Sequence, residues 1–418
     1  MTKRLILAFV FLSWHLVACS NGDSGISSGL PDKPSAEEDS PGTETISEEM
    51  RVKITGEDLY ISAKLDAKTD ILYWFKKCMF NELFTFYRVG TIDNNMPAPA
   101  TLPDVSPTSL LNLAYSDNIG PFNITGYGWC GGNHPYLDEV TQTARNIGYR
   151  IYIDGKEIKT DLSTLTKEIK IEVINEIMNP SKADTSSGKT LLNEILCIET
   201  VNYSIYRNNI QVLVTHEFQN ESPVTVQMYY GMQSMFDKET HTLTANGKYV
   251  DWTVQKDVST FTKKEYPSFR RFIEKSANAY QSSYLFADGL GNHEEISDDD
   301  IIFIGNSSNK TYHKIIADRE HKKGDIIHWS GVYTWFKSPV SDDDDLLCYE
   351  GVIDNKKVLF IDCKKSVDRK IQLPVDYTKK SFTIIEKSKS ITITGNKVTA
   401  KGLRIVSDGS GSCVITFD

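Results

Sequence analysis

The sequence predicts a mostly β protein, a large antiparallel β-sandwich followed by a small C-terminal β region. Three observations lead there. Runs of alternating apolar and polar residues recur along the chain at strand length. The segments between them carry Asn, Gly, Pro and Asp, the residues that tight turns need. The chain lacks the regular strand–helix alternation of a parallel sheet, so the runs read as sandwiches rather than βαβ units. At 418 residues it has room for two or three domains, or for one large β body with a smaller partner.

The β signal begins at about Arg51. Tyr149 to Asp154 alternates and runs into Gly155-Lys156, a hairpin signature. Ile169, Ile171 and Val173 alternate next, ahead of Asn179-Pro180 and a polar loop to about Lys189. Residues 195–206, 210–218 and 224–230 are three strand-like runs, joined by Arg207-Asn208-Asn209 and by Gln219 to Pro223. Further runs lie at 301–304, 326–336, 358–361, 382–385, 391–394 and 414–417. One helix is expected, because Phe269, Phe272, Ile273, Ala277 and Tyr280 form an apolar stripe; a bulged strand is the alternative. Pro97 to Pro107 reads as a loop packed over the surface. The division expected is a main sandwich over 49–340 and a small β region over 341–418, separated at the acidic run Asp342–Asp345.

Upstream of the body, Lys3 and Arg4 precede an apolar stretch ending in Leu16-Val17-Ala18-Cys19, the pattern of a secretory signal over 1–18. The stretch is shorter than the ~20 residues of a membrane-spanning helix. Leu-x-Ala-Cys resembles the bacterial lipobox, and that resemblance implies that Cys19 is lipidated and becomes the mature N-terminus. From 19 to 48 the chain is rich in Ser, Gly, Pro, Asp and Glu and reads as a flexible acidic tether. Ser20 after the cysteine resembles outer-membrane sorting, on the periplasmic or the cell-surface face.

Composition excludes several classes. A net charge of −10 without a Lys/Arg block argues against nucleic acid, which requires a basic footprint. Removing Lys3 and Arg4 takes the charge to −12, so lipid is the expected route to the membrane and a polyanionic glycan is mildly disfavoured. Six cysteines remain after Cys19. If Asn355-Lys356 is a two-residue loop, Cys348 and Cys363 stand opposite each other at a Cα separation of ~5.5 Å, a candidate disulfide. Two buried, reduced thiols are the alternative.

Most catalytic motifs fail on spacing. Gly126 to Gly131 fits G-x-G-x-x-G, but His134-Pro135 follows where a helix should open. His216-Glu217 lacks the second histidine of a zincin, since Asn220 stands there. No metal site and no cofactor are expected. The Asp298–Asp300 and Asp342–Asp345 runs offer calcium hard oxygens but lack a spaced loop, and read as solvated turns. What remains is polar and aromatic. Trp129, Asn133, His134 and Tyr136 lie in a glycine-rich segment. His216 and Glu217 end one strand, while Tyr229 and Gln233 stand on the next. Trp329, Gly331, Tyr333 and Trp335 share one strand face by period two. Aromatic faces stack on the C–H side of sugar rings and polar neighbours bind hydroxyls, so Trp129, Asn133, Tyr136, Gln233, Trp329 and Trp335 are candidate saccharide ligands. The alternative for Trp329 and Trp335 is core between two sheets. For His134 and His216 it is a structural histidine.

The lipobox, acidic tether and aromatic body together resemble exported lipoproteins of Bacteroidetes glycan-utilisation systems. His216-Glu-Phe and Pro223 to Gln233 are similar to strands of galactose-mutarotase-like supersandwich domains, over about Gly131 to Tyr284. The resemblance implies a twisted antiparallel supersandwich that holds oligo- or polysaccharide. A lipid-anchored, extracytoplasmic carbohydrate-binding protein is therefore the leading expectation. A polysaccharide lyase or glycoside hydrolase on the same fold is the alternative, with His134, His216, Glu217 and Tyr229 as candidate acid–base groups. A structural or adhesive surface lipoprotein is the third reading.

Overall fold

A computed structural model describes residues 46–101, 109–113, 119–235, 241–244, 247–251, 259–265, 271–276, 279–290, 296–306 and 310–418. The expectations for the signal peptide, for Cys19 and for nearly all of the tether fall outside the described residues. Residues Glu44–Asp418 form one compact unit. Its described secondary structure is strand throughout, apart from short 3-10 turns at Pro180–Lys182 and Val375–Tyr377.

A central sheet of ten strands organises the body. From one edge its order is Tyr249–Asp251, His241–Leu243, Arg271–Lys275, Tyr280–Leu290, Ile326–Phe336, Asn209–Phe218, Ile195–Tyr206, Ile169–Met178, Ala144–Ile153 and Lys156–Ile158. All its pairings are antiparallel. The hairpins close as their sequences require. Asp154 and Gly155 both take positive φ (48° and 77°), the geometry of a two-residue turn that matches strand twist.

Two six-stranded sheets cover one face of this central sheet. The first runs Leu162–Thr166, Met50–Thr55, Asp58–Lys64, Thr69–Cys78, Leu83–Asp93 and Ser109–Leu113. The second runs Ser259–Thr262, Ile301–Asn306, Lys310–His321, Val224–Met235, Pro121–Ile124 and Gly128–Gly131. Alternate residues point inward, so Val52, Ile61, Tyr73, Phe75 and Phe86 of the first sheet join Tyr203, Tyr333 and Trp335 of the central one in a single core. The sandwich predicted from alternation is present, built on a larger scale. The loop that starts at Pro97 lies on the outside of the first covering sheet, where Ser62 Oγ donates to the Ala100 carbonyl at 2.9 Å; residues 102–108 are outside the described set.

The C-terminal strands form a five-stranded sheet, Ser341–Asp342, Leu346–Ile353, Lys356–Cys363, Gly411–Phe417 and Phe382–Lys387. A three-stranded sheet, Val367–Ile371, Leu403–Ser407 and Ile391–Ile393, encloses a core with it around Cys348, Ile361, Ile405 and Cys413. Leu347, Tyr349, Phe360 and Val414 point the other way, into a second core with Ile273, Tyr284, Val332 and Phe336 of the central sheet.

Two expectations are corrected. Of the stripe read as a helix, Phe272, Ile273 and Tyr280 lie on a pair of strands, Arg271–Lys275 and Tyr280–Leu290, with Arg271 opposite Tyr284, while Phe269 and Ala277 fall outside the described residues. Phe272 and Ile273 are both fully buried because this hairpin has a core on each face, and two-sided burial erases the alternation that marks a strand. Cys348 and Cys363 are not bonded to each other. The turn is Asp354-Asn355, both at positive φ, one position earlier than expected. That places Cys348 opposite Ile361 and Cys363 opposite Leu346. A shift of one residue in the loop moves every pair by two.

Candidate functional site

The outer face of the second covering sheet carries a ladder of half-buried rings. Trp129 stacks on Tyr136 at 6.1 Å between centroids and on Tyr230 at 5.9 Å. Tyr230 meets Tyr312 at 5.1 Å, and His134 packs edge-on to Tyr136 at 5.7 Å. The rings come from three strands of this sheet, with Pro121–Ile124 between those of Trp129 and Tyr230, and from the loop after Gly131. Each strand ring belongs to the set opposite the core-facing one: Trp129 neighbours buried Cys130, Tyr230 neighbours buried Tyr229, and Tyr312 lies between buried Thr311 and His313. Burial, with Tyr312 beside it, pushes the Tyr230 phenol up to about 12.

Glycine sets this edge. Gly120, at φ +102°, lies so close to the neighbouring strand that a Cβ would stand 1.4 Å from the Tyr230 carbonyl oxygen, so no side chain fits. The loop after the ladder is held from beneath. Asn81 Nδ2 donates to the Gly132 carbonyl at 2.7 Å, and the Phe80 amide donates to the Asn133 carbonyl at 3.1 Å. Sequence reasoning named Trp129, His134 and Tyr136, and the structure brings them together. It missed Tyr230 and Tyr312, which only strand pairing brings to them.

The other expected saccharide contacts lie inside. Trp329 and Trp335 are fully buried between the sheets, so the platform expected of them is absent from the surface. Period two places them on one face correctly, but that face is the covered one. Gln233 is buried, and its main-chain carbonyl accepts from the Tyr333 hydroxyl at 2.7 Å. Asn133 is buried beneath the loop.

His216 and Tyr229 meet, with ring centroids 5.0 Å apart, but at the centre of the sandwich. His216 Nε2 and Glu199 Oε2 are 3.0 Å apart, and Asn175 Nδ2 donates to Glu199 Oε1 at 2.9 Å. Trp329 Nε1 donates to the Tyr229 hydroxyl, which in turn donates to the Ile119 carbonyl. Burial drives the Tyr229 phenol far above its ordinary range. A cavity of about 20 Å³ adjoins this network, lined by Thr85, Asn133, Asn175, Glu199 and Tyr203. It has room for about one water molecule and none for a sugar. The network pairs most of its buried polar groups, as a core must, while His216 Nδ1 is left without a hydrogen-bond partner. Of the remaining acid–base candidates, Glu217 is exposed on the opposite face of the central sheet, where Gln219 bonds it, and His134 stands on the ladder.

A second interior polar group was not anticipated. Glu274 is fully buried between the central and second covering sheets, where Thr311 Oγ1 donates to its Oε1 at 2.8 Å. Gln281, Ser283 and Thr242 are buried on the same face, and burial pushes the Glu274 carboxyl up to about 8. A helical reading of this stretch hid the strand face that aims Glu274 inward. The acidic turns expected to be solvated are engaged by cations. Burial raises the Asp342 carboxyl, but hydrogen bonds from Lys275, Lys364 and Tyr280 outweigh it and bring it down to about 2. Asp300 pairs with Lys314 at 2.6 Å. Among the described residues, no group of three or more His, Cys, Asp or Glu side chains is placed to hold a metal ion.

No protein-family model and no curated protein matches the sequence. Solved structures show a distant likeness to glycoside hydrolases. The GH36 alpha-galactosidase AgaB from Geobacillus stearothermophilus is 9% identical, with a TM-score of 0.39 over 69% of this chain and 41% of that one. A glycoside hydrolase family 97 enzyme from Pseudoalteromonas sp. strain K8, solved with panose, is 6% identical, with a TM-score of 0.32 over 68% of this chain and 35% of that one. An alpha-mannosidase from Enterococcus faecalis V583 is 7% identical, with a TM-score of 0.28 over 90% of this chain and 57% of that one. The chain thus spans less than half the length of the first two enzymes.

Proposed function

We propose that this protein is a lipid-anchored, extracytoplasmic β-sandwich protein that binds an oligo- or polysaccharide along the Trp129–Tyr136–Tyr230–Tyr312 ladder. The observation that carries the reading is the ladder itself, a row of packed rings on an outward sheet face, three of them fixed by strand register and Tyr136 by the loop after Gly131. Rings ordered before binding lose little entropy when a sugar stacks on them. His134 and Asn123, on the same outward side, supply groups for hydroxyls. Binding is favoured over catalysis because His216 and Tyr229 are sealed in the core, where no polysaccharide reaches them.

Trp129→Ala is expected to weaken binding of the best ligand in a panel of neutral plant and bacterial glycans on the order of tenfold, the loss typical of one aromatic anchor. Titration by tryptophan fluorescence or calorimetry checks it, with the unfolding midpoint as control. If no glycan in the panel binds or is cleaved, the structural or adhesive reading takes its place.

Anchoring rests on Leu16-Val17-Ala18-Cys19 and the tether after it. Cys19→Ala is expected to move the protein from the detergent phase to the aqueous phase on phase partition and to abolish radiolabelled palmitate incorporation. Unchanged partitioning would remove lipid from the proposal.

A further inference from the structure

The outer face of the first covering sheet, on a different part of the molecule, carries a row that crosses four strands. Lys53 stands opposite Tyr60, Tyr60 opposite Trp74, and Trp74 opposite Arg88. Each is partly exposed, while its chain neighbours Val52, Leu59, Phe75 and Val89, or the next residue but one, fill the core. Tyr60 stacks on Trp74 at 5.4 Å, and Tyr87 meets Trp74 edge-on at 5.0 Å.

The ring faces are covered by cations. Lys76 Nζ sits 4.3 Å from the Trp74 centroid and 4.2 Å from that of Tyr87. The Arg88 guanidinium lies 4.9 Å from the Tyr87 ring. Neighbouring Lys77 pairs with Glu57 at 3.1 Å. Among the described residues, Lys53, Lys76 and Arg88 form no ion pair. The carboxylate beside them, Asp58, is engaged by the Trp74 indole N–H at 3.1 Å. Ring faces hold the two cations in place through cation–π attraction, so their side chains are ordered without a direct salt bridge among the described residues.

We infer that this row is a second binding surface, one for an acidic polysaccharide whose sugars carry carboxylate or sulfate groups. Three cations spread over strands about 4.8 Å apart suit a linear polyanion laid across them. The chain's net charge of −10 does not prevent this, because beyond a Debye length of about 8 Å its field is screened and the local charges decide. Nucleic acid fits less well. It would require a wider basic footprint, and the ring faces that bases would stack on are already capped.

The surface does not depend on the ladder reading, and one experiment separates them. Full-length protein in detergent micelles is tested for retention on immobilised polygalacturonate, dextran sulfate and neutral dextran. The double variant Lys76→Gln with Arg88→Gln is expected to bind both acidic polymers about tenfold more weakly, whereas Lys77→Gln matches the parent. Lys76→Arg with intact Arg88 retains binding, which shows that charge rather than folding is responsible. Equal retention of parent and double variant overturns the inference. So does a parent that ignores both acidic polymers, or one that binds single-stranded oligonucleotide or phosphatidylserine vesicles with the same dependence on Lys76 and Arg88 but not the polysaccharides.

Discussion

Asp70→Ala is expected to lower the unfolding free energy by about 3–5 kcal/mol, the usual cost of removing one partner from a buried ion pair. Lys64 and Asp70 are both fully buried, and their charged atoms are 2.8 Å apart. Lys64 Nζ also donates to the Asn94 carbonyl at 2.6 Å. Asp70 Oδ2 accepts from Asn94 Nδ2 at 2.7 Å and from the Ala100 amide at 2.6 Å. Alanine would leave the Lys64 ammonium in the interior with a carbonyl for company, and would release the loop from Asn94 to Ala100 at two points. Urea unfolding measures the first effect, and the rate of proteolysis within that loop reports the second. The exposed pair between Lys77 and Glu57 provides the contrast, since Lys77→Ala should cost less than ~1 kcal/mol. A similar small cost for Asp70→Ala would mean that Lys64 finds water by moving, and that the pair does not hold the loop.

Glu274→Gln is expected to flatten the alkaline side of the stability profile. An acid whose folded pKa is raised retains its proton in the native state after the unfolded chain has released it. Below about pH 4.5 the carboxyl is protonated in both states, and the two profiles coincide. Between there and about pH 8 the native state alone holds the proton, so stability falls with rising pH by roughly 1.4 kcal/mol per unit. Above that window both states are ionised and the loss is complete. Glutamine keeps the acceptor for the Thr311 hydroxyl and carries no charge, so the variant should exceed the parent by several kcal/mol at pH 9 and equal it at pH 4. Denaturation series at those two pH values decide the matter. Parallel profiles would show that Glu274 is hydrated, by a channel or by local opening of the edge strands.

The β class and most of the longer strands from Tyr149 onward were legible, because one-sided burial imprints period two directly on the residues. Residues 195–206, for example, correspond to the strand Ile195–Tyr206 without adjustment. Where both faces are buried the imprint vanishes, as it did at Phe272 and Ile273. Lys310–His321 escaped notice for the opposite reason: it carries Lys, His, Asp and Arg and becomes a strand through its long pairing with Val224–Met235. Alternation also says which side chains share a face and nothing about which layer lies over it. Trp329 and Trp335 on the one hand and Trp129 on the other carry equal aromatic signal, yet the first two are core and the third is partly exposed. Turn register is a third gap, since Asp354-Asn355 and Asn355-Lys356 both satisfy turn chemistry and differ in every cross-strand pair that follows.

The ladder's make-up has a bearing on biogenesis. Its rings come from Trp129, Tyr136, Tyr230 and Tyr312, so the row cannot exist until residue 312 of 418 has been synthesised and the intervening strands have been threaded into place. A nascent or truncated chain therefore displays these rings separately, as sticky apolar surface, before they act as a unit. Escorts that keep the unfinished polypeptide from clumping would have to cover that stretch until translation is nearly three-quarters done.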